Sequence, residues 1–383
     1  MKSSSGSYFI AVDHIRALAA FTVFTWHFTH AEDGYPVAFE YVPAVFPLAL
    51  LDEGHTGVAL FMTLSGYLFA KLLDGKSIHY GAFLFNRALR LLPLLVLVIL
   101  AVGFKRVVIS GMNISTYVET IAKGVVFPIL PNGGWSIAVE GHYYLILPLF
   151  LWMLKKSKLL PLALVFAAIA LRCFLYQQRG EIQSLAYWTI VGRIDQFTLG
   201  MLVFQFRAFF AKRHAMAIAT ITAFMAIYWL FDFRGGFAQM PSYPSPSSFW
   251  IILPTIEAIA YAVGIAWYDN SFSIPNTGVS KFIARIGQYS YSIYLLHFFV
   301  AFYAARFVDE RIMDISNFYL ACLWSMVFFL LMMLPGYVSF RFIEAPFLKL
   351  RRRYIAVRPG SQETYYPAAQ RAAQGEPPAS TTT

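Results

Sequence analysis

Apolar residues gather along this chain into long runs separated by short polar breaks. A run of roughly 17–25 mainly apolar residues is long enough to cross the hydrocarbon core of a bilayer as a helix. Ten windows qualify, at 9–29, 56–73, 91–109, 135–153, 159–176, 185–206, 215–231, 249–267, 289–308 and 318–340. The pattern therefore predicts an all-α, polytopic integral membrane protein of about ten transmembrane helices. No internal repeat is visible, and no inverted pair of interrupted spans of the transporter kind. Three segments follow: a short N-terminus at 1–8, a transmembrane domain at 9–350, and a basic, then disordered, tail at 351–383. Residues after about 356 are rich in Pro, Ser, Gln, Thr and Ala, a composition that cannot bury a core. The first window carries Asp13, His14 and Arg16 with no small-residue cleavage site behind it, so it is read as a true span and not a leader.

Composition agrees. Of 383 residues 58% are hydrophobic and 13% charged, against about 45–50% and about 25% in soluble chains. The 37 Phe, 23 Tyr and 8 Trp suit a lipid-facing surface and its interfaces. A net charge of +10 would by itself suggest nucleic acid, but its distribution does not. One set of loops and the C-terminal segment hold seventeen Lys and Arg, and the alternating loops hold eight. That asymmetry places both termini in the cytoplasm by the positive-inside rule, with no nucleic-acid patch. Cys173 and Cys322 lie far apart in apolar stretches, too few for a disulfide framework or zinc spacing. They are expected as small buried hydrophobes, and no metal site is expected.

Charges at membrane depth cost at least about 2.5–3.5 kcal/mol on insertion scales and need a reason. In AVDHIRALAAFTVFTWHFTH, Asp13 and Arg16 are three apart and able to pair. Arg16 and His27 are eleven apart, close to three helical turns, so they share a face roughly 16 Å apart along the axis. The plainer alternative is a salt-bridged Arg near one edge and a His at the other. WSIAVEGHYY places Glu140, Tyr143 and Tyr144 on one face behind Trp135, and a carboxylate there could orient an imidazole on another span. In FLFNRALRLLPLL, Arg87 and Arg90 sit three apart on a helix end capped by Pro93. They are either positive-inside anchors or a fork for phosphate groups. IGQYSYSIYLLHFF brings Tyr291, Tyr294 and His297, and RFIEAPFLKLRRR ends the last span on Glu344 ahead of a basic cluster suited to lipid headgroups. Arg193 and Asp195 in GRIDQFTLG form a further ionisable pair in an apolar span.

In order and spacing, the Arg16-x10-His27 element, GVALFMTLSGYL, RALRLLP, WSIAVEGHYY, SYSIYLLH and FIEAP resemble the membrane-bound acyltransferase-3 family of bacterial O-acetyltransferases. The resemblance covers about residues 8–350. It departs at His14, where the family commonly has Gly, and at Gly141-His142, so that His142 could reshape the acceptor pocket. No hydrolase-like domain follows the last span, unlike in longer members; transfer would then finish within the membrane or pass to a partner.

The resemblance implies a bacterial inner-membrane enzyme. It would move an acyl group, most often acetyl, from cytoplasmic acyl-CoA to a hydroxyl of a surface polysaccharide or glycolipid, with no bound cofactor. It implies His27, Arg16 and Glu140 as the catalytic group. Asp13, Trp135, Tyr143, Tyr291, His297 and Glu344 support them, and Arg87 and Arg90 grip acyl-CoA. A homo-oligomer or a glycan-assembly partner is compatible with this. The acceptor pocket is expected in the loops at about 30–55, 110–134 and 232–248, although the last could be a plain solvated connector. A transporter or flippase of acylated lipid or sugar is the alternative of a different class, and a non-catalytic scaffold a third.

Overall fold

The computed structural model describes residues 9–31 and 34–357. The expected N-terminal segment and the tail from 358 onward lie outside the described residues. Twelve longer helices organise the chain: α1 (Ile10–Thr29), α2 (Gly57–Leu73), α3 (Tyr80–Phe104), α4 (Ile114–Val126), α5 (Gly134–Lys156), α6 (Leu162–Arg179), α7 (Ile190–Gln205), α8 (His214–Phe233), α9 (Leu253–Ser271), α10 (Gly278–Leu296), α11 (Ala301–Arg311) and α12 (Phe318–Leu331). The chain is not wholly helical. β1 (Lys76–Ile78) and β2 (Ile355–Val357) form a two-stranded antiparallel pair with Ser77 opposite Ala356.

Every one of the ten windows holds a helix, but they are not ten equal spans. Six stretches are long and apolar enough to cross a membrane: Gly54–Leu73, Tyr80–Ile109, Gly134–Lys156, Leu162–Arg179, His214–Phe233 and Phe318–Leu348. A seventh qualifies if α10 and α11, bent by 54° where they meet, are taken as one. Helices α1, α7 and α9 do not qualify. Their polar side chains face protein: Asp13, Arg193, Asp195, Gln196 and Glu257 are all buried. A helix surrounded by other helices needs no apolar outer face, so its hydropathy falls while its burial rises.

Three local expectations change. Pro93 does not cap a helix; α3 begins at Tyr80 and runs through it. A proline costs one ladder hydrogen bond, which membrane helices tolerate where neighbours satisfy the freed groups, and the Tyr291 hydroxyl donates to the nearby Leu91 carbonyl. Arg87 and Arg90 therefore sit within this helix and not at its capped end. Helix α4, predicted as loop, has an Asn113 cap accepting from Ser115 N–H. Cys173 is exposed on α6, not buried as expected.

Helix α1 lies centrally, against α2, α10 and α12. Its approach to α10 is the tightest: a Cβ on Gly287 would sit 1.8 Å from the Asp13 carbonyl oxygen. Only glycine lets the backbones meet there, as small residues do in membrane bundles. On its other side the Thr25 and Ser325 hydroxyls bond at 3.0 Å. Beyond α2, a buried ionic layer joins α6, α7 and α9. Arg193 and Asp195 do not pair with each other. Arg172 Nη2 reaches Asp195 Oδ2 at 2.6 Å and Arg193 Nη1 reaches Glu257 Oε2 at 3.3 Å. Adjacent i, i+2 positions on a helix point different ways, so each takes a partner from a neighbouring helix. Arg172, expected in a loop, is fully buried.

Candidate functional site

A cavity opens between α1, α2, α3, α5 and α10. It gathers Arg16, Arg87, Arg90, Glu140, Tyr291 and Tyr294 from sequence stretches almost 280 residues apart. Arg16 Nη1 donates to Asp13 Oδ1 at 3.0 Å, the expected i, i+3 pair. Glu140 Oε1 accepts from Ser65 Oγ at 3.2 Å and from the Tyr144 hydroxyl. Arg87 and Arg90 have no ion pair within 4.0 Å among the described residues. The Arg87 guanidinium instead lies 5.3 and 5.5 Å from the Phe69 and Phe83 ring centres. Three guanidiniums, one of them paired with Asp13, share this space with one lining carboxylate, so the cavity carries a positive surplus.

A second centre lies further along α1. His297 Nε2 is 3.3 Å from His27 Nδ1, with the ring centroids 4.8 Å apart. The hydrogen-bond partners fix both tautomers. His27 Nδ1 is 2.9 Å from the Val23 carbonyl and His297 Nδ1 is 2.5 Å from the Tyr294 carbonyl. A carbonyl only accepts, so both Nδ1 atoms carry hydrogen. His297 Nε2 then holds a lone pair toward His27, and His27 Nε2 keeps a lone pair with no hydrogen-bond partner among the described residues. An imidazole with one nitrogen tied and the other open is poised as base or nucleophile. The Phe298 ring packs edge-on to the His27 ring, with centroids 4.5 Å apart.

The chain break at His297 makes this possible. The expected continuous span at 289–308 ends as α10 at Leu296, turns through His297–Phe299 and restarts as α11. The His297 side chain takes the i−3 carbonyl, a competition that bends helices. Tyr294 links the two centres. It lines the cavity, its ring is 5.8 Å from that of His297, and its hydroxyl meets Ser136 Oγ at 2.8 Å. Gly133, at φ +73°, admits that ring, because a Cβ would come within 2.9 Å of it.

The remaining expected residues divide. Tyr291 lines the cavity with its hydroxyl on Leu91. Glu344 is buried and accepts from Ser292 Oγ. Trp135 packs on Tyr187 and Trp188 at 5.1 and 4.5 Å. Tyr143 stacks on Phe197 at 4.0 Å and bonds Met201 Sδ; of the two tyrosines beside Glu140, Tyr144 is the one that hydrogen-bonds it. Glu140 touches neither imidazole, whose orientation comes from backbone carbonyls. His142 meets the Val125 carbonyl at 2.9 Å, in the 110–134 segment, and does not line the arginine cavity. His14 ties α1 to Tyr268 and to the Ser280 carbonyl. The segment at 232–248 is no solvated connector: Phe237 is buried and packs 5.5 Å from Trp26, the neighbour of His27. Sequence reasoning missed Ser65, Tyr144 as the partner of Glu140, and Glu257. No group of His, Cys, Asp or Glu among the described residues could hold a metal ion.

A family model for an acyltransferase domain, Acyl_transf_3, matches residues 9–338. A provisionally named O-acetyltransferase of Staphylococcus aureus (strain COL) is 27% identical over 81% of this chain and 55% of its own length. The peptidoglycan O-acetyltransferase OatA of Listeria monocytogenes is 24% identical over 90% of this chain and 56% of its own. BcsY of Komagataeibacter xylinus, provisionally named a membrane-bound transacylase, is 25% identical over 66% of this chain and 68% of its own. The chain thus spans about half the length of the first of these relatives. No solved structure matches it. With a family model covering nearly the whole membrane domain, the chain is a membrane protein that belongs to the acyltransferase-3 family.

Proposed function

We propose that the chain is a membrane O-acyltransferase that moves an acetyl group from cytoplasmic acyl-CoA to a carbohydrate hydroxyl, in a bacterial inner membrane that the chain crosses about ten times. The observation that carries this reading is the open Nε2 of His27, held in one tautomer beside His297 and linked by Tyr294 to an arginine-lined cavity. Both termini lie in the cytoplasm, so Arg87 and Arg90 face the donor's side. The nucleotide end rests against these arginines, and the thioester arm follows the cavity toward Tyr294 and the histidines. The acceptor, a surface polysaccharide or glycolipid, comes from the opposite side past Trp26 and the 232–248 segment. OatA, which is named for peptidoglycan, supports a glycan acceptor.

In the direct route, His27 Nε2 takes the proton of the acceptor hydroxyl as its oxygen attacks the thioester carbonyl. The carbon–sulfur bond then breaks, and the imidazolium returns the proton to the thiolate, leaving ester and free CoA thiol. His297 Nε2 accepts from His27 Nδ1–H and so steadies the imidazolium formed in between. Arg16, paired with Asp13, supplies positive charge along the same face of α1. Family membership favours transfer over transport.

Release of thiol from acetyl-CoA by detergent-purified protein, with a soluble glycan acceptor, tests this. His27→Ala is expected to lower kcat by at least about 10²-fold, the usual share of a positioned base, and His297→Ala to lower it less, with KM unchanged. Wild-type kcat in correctly inserted His27→Ala protein would refute the role.

A further inference from the structure

The last described residues fold back over the cavity's arginine end. Asn86, fully buried, binds the strap at both faces: its Nδ2 donates to the Arg352 carbonyl at 2.7 Å and its Oδ1 accepts from Arg352 N–H at 2.9 Å. The His79 N–H donates to the Tyr354 carbonyl at 2.9 Å, β1 pairs with β2, and the Tyr354 ring sits 5.6 Å from Phe83. Five residues of the strap, Arg352 and Tyr354–Val357, are thereby held in one register against β1 and the start of α3, and the residue after Asn86 is Arg87.

That register sorts the three consecutive arginines. Arg353 is exposed. Arg352 turns its guanidinium onto Phe85, 4.6 Å from the ring centre. Arg351 turns inward, where Arg90, Arg87, Tyr354 and Glu344 act on it. Its Nε, like that of Arg87, is buried without a hydrogen-bond partner, and it has no ion pair within 4.0 Å among the described residues. Burial first, and then the charges of Arg90 and Arg87, push its pKa down to about 10. Three guanidiniums held together with only the Glu344 carboxylate in range, and no ion pair to it, are costly, and a planar fork of donors matches phosphate bidentately.

We propose that Arg351 is a third phosphate-binding arginine, presented by the C-terminal strap to complete with Arg87 and Arg90 a site for the phosphate groups of the donor nucleotide. The proposal rests on the acyl-CoA reading above. An anionic lipid headgroup carries the same chemistry, but Arg87 and Arg90 line the internal cavity, which favours the nucleotide.

The test uses the full chain in nanodiscs of neutral or anionic lipid, titrated with 3′,5′-adenosine bisphosphate, which carries the nucleotide phosphates without the thioester arm. Arg351→Gln is expected to weaken binding at least about tenfold in both lipids, with KM for acetyl-CoA raised in parallel and kcat kept. Arg353→Gln, on the exposed neighbour, should bind as wild type. Arg351→Lys, which keeps charge but loses the fork, should fall in between, and it serves where the Gln variant does not fold. Wild-type affinity in Arg351→Gln, or in Arg351→Lys where only that variant folds, overturns the proposal. So does a loss confined to anionic lipid, which assigns Arg351 to a headgroup. A wild-type protein that binds no bisphosphate refutes the acyl-CoA reading itself, whereas equal binding by wild type and variant refutes only the role of Arg351.

Discussion

Two buried ionic regions sit on either side of α2 and are built to opposite rules. In the layer of α6, α7 and α9, cations and carboxylates match one to one: Arg172 with Asp195 and Arg193 with Glu257, with Gln196 and Tyr228 adding hydrogen bonds to Glu257 at 2.9 and 2.6 Å. In the cavity, Arg87 and Arg90 have no such partner, and the one lining carboxylate is already engaged by Ser65 and Tyr144. A layer whose charges cancel in pairs is scaffold by charge balance, even though Arg172 Nε, Arg193 Nη2, Asp195 Oδ1 and Gln196 Oε1 keep no hydrogen-bond partner among the described residues. A surplus of one sign beside an open space is what an anionic ligand would balance, which is the reading proposed above for the cavity. Strength of charge does not separate the two regions; balance does.

The contrast breaks most visibly in the closed layer. Arg172→Ala leaves Asp195 buried without its partner, which typically costs about 3–5 kcal/mol. The expected result is loss of most folded, monodisperse protein on detergent extraction. Recovery by the double change Arg172→Met with Asp195→Leu would show that pairing and not charge was needed. A stable Arg172→Ala protein with unaltered thermal unfolding would remove the distinction. On the other side, Arg90→Gln should do the reverse. Removing an unpaired buried cation should leave the unfolding temperature the same or higher, while KM for acyl-CoA rises about tenfold or more through loss of charge-assisted hydrogen bonds. Thermal unfolding and KM measured on one preparation decide this. A destabilised Arg90→Gln with unchanged KM would move Arg90 into the scaffold.

Which of these groups the sequence could reveal depended on chain distance. Arg16 and His27 were legible because one helix carries both, and eleven residues bring them to one face. Arg87 and Arg90 were legible for the same reason at a spacing of three. Glu257 was not, because it meets Arg193 only after a separation of 64 residues and two turns of the chain. The inward turn of Arg351, as opposed to its identical neighbours, follows the register set by two hydrogen bonds between Asn86 and Arg352, 266 residues apart. The helix windows fell in the right places because membrane-length apolar runs are a one-dimensional signal. Whether a helix faces lipid or other helices is not, so α1, α7 and α9 could not be told from the outer ones. The break at His297 was hidden because its cause is a side chain taking a backbone acceptor, with no proline or glycine to mark it.

A third buried cluster completes the comparison, with the opposite sign. Asp52, in the turn Ala49–Asp52, is buried beside Glu53 and faces the Asp232 carboxyl. His30 Nε2 stands 3.6 Å from it, outside hydrogen-bond reach, and Tyr41 and Cys322 lie in range of its charge. No Lys or Arg is within ion-pair distance among the described residues. Arginine cannot discharge in a protein, so the cavity keeps its surplus of charge; carboxyls can discharge by binding a proton. Burial first, then the charge of Glu53, push the pKa of Asp52 up to about 8. The fold therefore holds a proton that the unfolded chain has lost above about 4. This stabilisation is full below that pH, declines as pH rises and is gone above about 8. The smallest of the expected effects follows: wild-type unfolding temperature should fall between pH 6 and 8.5 by about 2 °C more than that of Asp52→Asn, which carries no titrating group there. If both proteins fall in parallel, the titration belongs to a neighbour, and the acidic cluster relieves its charge elsewhere than at Asp52.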